Sequence, residues 1–175
     1  MRLTKITNVK HFMNKLLIEN SFDSFLISEA TIKTFASFVI DGHINEGFYS
    51  SDELSEMKSE ASSEGRIFSE RLLRWSQVKP HVLNLIKGKK TPSYFKFSFY
   101  LAEENINKLL SSSDTSITTN DIDGLSLIVK FSEDELTLTS SVSLKIFSLD
   151  KSLDKVWDDM VIKFISSLDA LYEVM

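Results

Sequence analysis

Between Leu125 and Ile146 the chain alternates apolar and polar residues with a period of two. Leu125, Leu127, Val129 and Phe131 are followed, past SEDE, by Leu136 and Leu138, then Val142, Leu144 and Ile146. Successive side chains of a strand point to opposite faces, so this pattern predicts an antiparallel meander of two or three strands with one buried face. Residues 94–101 (YFKFSFYL) repeat the alternation, with Phe95, Phe97 and Phe99 in phase. A sheet that is apolar on one side needs a partner layer. The chain supplies one in residues at helical spacing: Val9, Phe12, Met13, Leu16 and Leu17 near the start, and Leu153, Val156, Trp157, Met160, Val161, Phe164, Leu168 and Leu171 near the end. The expectation is a single α+β domain spanning 1–175, an antiparallel sheet packed by amphipathic helices.

The remaining elements follow from local signals. Residues 2–7 read as a strand and Asn8 as the cap of the first helix. Residues 24–44 read as two strands with a break near Ser28–Thr31, and Asp41–Gly42 as a turn. Residues 46–65 are Ser- and Glu-rich and predict a flexible polar excursion, either a mobile loop or a loosely held helix. Residues 66–87 keep roughly helical spacing through Ile67, Leu72, Trp75, Val78, Val82, Leu85 and Ile86. Pro80 should kink that helix or begin a second one, and Gly88 suits its C-terminal cap. AEENINKLL predicts a short helix, 111–120 a loop, and Ser152 the cap of a closing helix of about 20 residues.

The composition excludes several kinds of chemistry. The 175 residues hold no Cys and 5 Gly, so disulfides, thiolate nucleophiles and Fe–S clusters are out. No phosphate-loop, dinucleotide-binding, nucleophile-elbow or zinc-protease motif occurs. His11, His43 and His81 are scattered, so no metal and no cofactor is expected. Asp121-Ile-Asp123-Gly124 lacks the other ligands of a calcium loop and reads as a turn into a strand. Asp154, Asp158 and Asp159 read as a solvated helix face. MRLTKITNVKHFMNKLL lacks the apolar stretch of a signal peptide, and no apolar run approaches the roughly 20 residues that span a bilayer. The expectation is a cytoplasmic, soluble protein with no membrane partner.

A net charge of −5 conceals a division. Residues 66–90 carry Arg66, Arg71, Arg74, Lys79, Lys87, Lys89 and Lys90 against Glu70 alone, while the flanking segments are acidic. Such a stripe either pairs with acidic parts of its own chain or binds an anion. Arg71, Arg74, Lys87, Lys89 and Lys90, with Trp75 and Tyr94 nearby, are the candidate binding residues, and a nucleic acid is the ligand such a mixture of charge and aromatics would fit. Trp75 lies on the apolar stripe, which favours the internal reading.

The chain also echoes itself. NKLL occurs at 14–17 and 107–110, IDG at 40–42 and 122–124, and a Trp opens a helical stripe at 75 and 157. The echo points to pseudo-repeats of 1–90 and 91–175 with β-α-β-β-α order.

LTKITNVKHFMNKLL, IDG at 40–42, WSQVKPHVLNLIKGKKTP and SLKIFSLDKSLDKVWDDMV together resemble an uncharacterised bacterial family, found mainly among Firmicutes and catalogued as a domain of unknown function. The resemblance implies a bacterial cytoplasmic protein and transfers no catalytic residue. The order strand–helix–strands, as in FKFSFYLAEENINKLL followed by LSLIVKFSEDELTLT, is similar to the half-domain of DNA sliding clamps, which would implicate Lys10, Lys15 and Lys108. The leading expectation is a non-enzymatic binding or interaction protein with a protein or nucleic-acid partner. The alternatives are a clamp-like protein acting through 66–90, and an enzyme whose site is assembled from distant residues.

Overall fold

The computed structural model describes residues 1–175. In chain order it comprises β1 (Arg2–Ile6), α1 (Val9–Leu17), β2 (Leu26–Lys33), β3 (Ser37–Asp41), α2 (Ser51–Ser63), β4 (Leu73–Arg74), α3 (Trp75–Ile86), β5 (Tyr94–Tyr100), α4 (Glu103–Ser111), a 3₁₀ turn (Thr119–Asp121), β6 (Ile122–Ser132), β7 (Glu135–Leu144), α5 (Ser152–Ser167) and β8 (Tyr172–Val174). The fold is α+β. All strands join one sheet in the order β3-β2-β5-β6-β7-β1-β8, with β4 beside β2. Every pairing is antiparallel.

The in-phase apolar residues of the central strands point to one side. Phe95, Phe97, Phe99, Leu125, Leu127, Val129, Leu136 and Leu138 enter one continuous core with Phe12 and Leu16 of α1, Trp75, Val78 and Val82 of α3, Ile106 of α4, and Leu153, Trp157, Val161 and Ile165 of α5. Both tryptophans are fully buried. Each satisfies its indole N–H on a backbone carbonyl, Trp75 on Leu16 at 2.9 Å and Trp157 on Ser126 at 3.0 Å. Fully burying side chains of this size stabilises by about 1.5–3 kcal/mol each.

The meander is two strands, β6 and β7, joined by Glu133–Asp134. Both turn residues have positive φ, at 53° and 62°, the backbone that two-residue hairpins require.

Several local expectations are corrected. The break between β2 and β3 falls after Lys33, and Ser28 is instead the site of a bulge where β2 shifts register against β5. The polar excursion takes the second of its two expected forms, helix α2, started by a capping box in which Ser50 and Glu53 bond each other's backbone N–H. Only Ala61 of it is buried. Ile67 and Leu72 precede the helix, which begins at Trp75, because 66–74 is an extended strap ending in β4. Pro80 lies inside α3, which continues through it to Ile86. There the extended backbone of Lys87 ends the helix, and Gly88 has no positive φ. Asn8 makes no capping bond. Its side chain holds the C-terminal segment instead, accepting from Leu171 N–H at 2.8 Å and donating to Asp169 carbonyl at 3.3 Å. The closing helix is 16 residues long, because the chain turns through positive φ at Asp169 to add β8 beside β1. Asp150 takes the capping bond expected of Ser152, accepting its backbone N–H at 2.8 Å. The carboxylates of α5 meet the chain start rather than water alone: Asp154 and Asp158 lie 3.9 and 3.8 Å from the terminal amine, and Ser140 donates to Asp158.

Candidate binding cleft

At the end of the sheet where β2 begins and β5 ends lies an open cleft of about 890 Å³. The strands contribute Leu26, Tyr100, Ile122 and Gly124 to its lining. The strap through Phe68, Glu70 and Arg71, Lys58 of α2, Glu103 of α4, and Asn120, Asp123 and Lys145 complete it.

The strap stays in place because of a buried ion pair. Arg74 and Glu104 are 8% and 9% exposed and lie 2.9 Å apart. Arg74 also donates to Ser24 carbonyl at 2.9 Å and Ile67 carbonyl at 3.0 Å, and Glu104 accepts Ile67 N–H at 3.4 Å. A buried charge persists when its partner and hydrogen bonds are supplied, and here those bonds reach across from β4 to α4 and pin Ile67 between them. Arg74, a candidate binding residue in sequence, is therefore committed to structure.

Two glycines pack tightly at this end of the sheet, and both come from the repeated IDG. A Cβ on Gly42 would lie 1.8 Å from the Ile27 carbonyl oxygen, so no side chain fits where β3 crosses the β2 bulge. A Cβ on Gly124 would lie 2.8 Å from the Tyr100 ring. Only glycine leaves room for that ring against the β6 backbone. The 3₁₀ turn that carries Asn120 is closed by Asp121, which accepts both the N–H and the hydroxyl of Thr118 at 2.9 Å. The backbone bond, then the hydroxyl, holds its carboxyl below the usual range. Asp41 at the cleft edge is lowered in the same way, first by the backbone N–H of His43 and then by its ring.

The charges of the cleft are unequal in commitment. Lys58 and Glu70 pair with each other. Asp123 accepts the Ser143 hydroxyl at 3.2 Å. Glu103 sits in the first turn of α4, where the helix dipole favours it. Arg71 and Lys145 both line the cleft and make no ion pair within the chain.

Of the sequence candidates, Arg71 thus lines the cleft and Arg74 supports it. Lys87, Lys89 and Lys90 lie at the far end of α3, about 18 Å along a 12-residue helix, beside the other end of β2, where Ser93 N–H bonds Lys33 carbonyl at 3.0 Å. The basic stretch is not one surface. Tyr100 and Gly124, the latter read in sequence only as a turn residue, also line the cleft, as does Lys145. The outward phase of YFKFSFY and the second IDG are the signals that mark the first two; Lys145 has no local signal.

The group of three or more His, Cys, Asp or Glu side chains that could hold a metal ion does not occur, and no helix is long and apolar enough to cross a membrane. Residues 15–173 match a family described as a family of unknown function, DUF5721. The chain belongs to that family. No curated protein matches the chain. No solved structure matches it either, so the topological likeness to sliding-clamp half-domains gains no support.

Proposed function

We propose that the protein is a non-enzymatic binding protein whose ligand seat is the sheet-end cleft. Its ligand is an organic anion, with a carboxylate or phosphate held between Arg71 and Lys145 and an aromatic or apolar body lying over Tyr100. The observation that carries this reading is that two cations without an ion-pair partner, Arg71 and Lys145, line one cleft of ligand size. The apolar share of the lining, Leu26, Phe68, Leu72, Ile106 and Ile122, supports the second half of it. The trough is wide-mouthed, and binding needs no exclusion of water, whereas most catalysis of difficult steps does.

Calorimetric titration with adenosine monophosphate, citrate and inorganic phosphate tests it. The nucleotide should bind most tightly, because it alone offers both an anion and a ring, and Arg71→Ala with Lys145→Ala should weaken it at least tenfold. Absence of binding by all three at millimolar concentration, or equal binding by the double variant, would overturn it.

A further inference from the structure

The side of the sheet away from the helices is uncovered, and its centre is basic. Outward residues of β5 are Tyr94, Lys96, Ser98 and Tyr100, the polar half of the alternation that buries Phe95, Phe97 and Phe99. The β5–β6 register sets Lys96 directly opposite Lys130. Like charges at opposed positions of neighbouring strands repel, and neither lysine has an acidic partner. Thr31 and Thr137 continue the same row on either side. In the next row Tyr94 lies between Lys33 and Ser132, with the Lys33 ammonium 5.1 Å from its ring centre. The loop carrying Lys87, Lys89 and Lys90 adjoins this edge through Ser93 and Lys33, and the Glu133–Asp134 turn bounds the patch toward β7. A chain of net charge −5 keeps a repulsive lysine pair at the middle of an open sheet.

We propose that this face binds single-stranded nucleic acid, with phosphates over Lys33, Lys96 and Lys130 and bases stacked on Tyr94 and Tyr100. Lys33, Lys96, Lys130 and Tyr94 lie outside the cleft and only Tyr100 is shared with it, so variants of Lys96, Lys130 and Tyr94 test this face apart from the cleft ligand. The charge calls for a polyanion. The two tyrosines stand six residues apart on one strand, about 20 Å, a span within the footprint of a short oligonucleotide. Stacking on half-buried rings of a sheet face is available to unpaired bases and denied to those within a duplex.

The test is fluorescence anisotropy with labelled 12-nucleotide oligothymidylate and oligouridylate, from 25 to 200 mM KCl. Three lysine–phosphate contacts predict a log–log salt slope of about −2. Lys96→Gln with Lys130→Gln should weaken binding at least tenfold and reduce the slope by about 1.4. Tyr94→Leu should weaken it by about fivefold or more with the slope unchanged. The lysine variants relieve repulsion, so their thermal midpoints should not fall, which separates lost binding from lost folding. The DNA and RNA arms decide which polymer is preferred. No anisotropy change at 25 mM KCl, or wild-type affinity in the lysine variant, overturns the proposal. Equal binding of heparin or polyglutamate with no effect of Tyr94→Leu also overturns it, in favour of a generic anion or acidic-protein surface.

Discussion

The two faces of β5 differ more than any two regions of the molecule. Inward, Phe95, Phe97 and Phe99 are 3% exposed or less and pack ring against ring, Phe95 stacked on Phe131 at 5.3 Å and Trp75 edge-on to Phe99 at 5.0 Å. Outward, the same seven residues present Tyr94, Lys96, Ser98 and Tyr100, with a repelling lysine opposite. The inward face is consistent at every level, since propensity, phase and packing agree. The outward face tolerates a local conflict, Lys96 opposite Lys130, that packing does not explain.

That contrast can be broken from the inside first. Phe97→Ala should cost about 3–5 kcal/mol, read by denaturant unfolding, because the void is walled by Trp75 and Phe99. Glu104→Gln leaves the Arg74 guanidinium buried without a counter-charge and should cost about 3 kcal/mol; because the strap is tied to this pair, proteolysis should cut at 66–72 before the rest of the chain. Gly124→Ala should be milder in unfolding, about 1–2 kcal/mol, yet should weaken ligand binding in the cleft by displacing Tyr100. On the outward face the sign reverses: Lys130→Glu should raise the thermal midpoint by about 1–4 °C by pairing with Lys96.

The smallest effect concerns acid. Asp150 is held below the usual carboxylate range, first by the backbone N–H of Ser152, then by the hydroxyls of Ser152 and Ser116. Asp121 is held low by Thr118. A group whose pKa is lower in the folded state contributes stability above its unfolded value, about 3.9, and loses it as pH falls through the folded value. Asp150→Asn and Asp121→Asn should therefore lower the thermal midpoint slightly at pH 7 and flatten its loss below about pH 4, the variants converging on the wild type in acid.

The parts of this fold that are legible in sequence are those in which one signal acts alone. The alternation in 94–100 and 125–144 places β5, β6 and β7, and helical spacing places α1, α4 and α5. Reading fails where two signals compete. Ile67 and Leu72 keep helical spacing by chance while Arg74, drawn to Glu104, holds their segment extended. Asn8 has the chemistry of a cap but its side chain is engaged by Leu171, 163 residues away. The cleft is assembled from segments spread between Leu26 and Lys145, so no spacing announces it. Its traces in sequence are indirect: the IDG echo, whose two glycines both lie at this end of the sheet, and the Tyr–Lys–Ser–Tyr phase of β5, readable only once the other phase is known to be core.

Amide chemical-shift mapping of the labelled protein during titration with adenosine monophosphate tests the central claim, that the cleft is the ligand seat, most directly. Saturable shifts should cluster at Arg71, Tyr100, Asn120, Gly124 and Lys145 and vanish in the Arg71→Ala, Lys145→Ala variant. Shifts confined to Lys87–Lys90 or to the helix-covered side, or none that saturate, would contradict it.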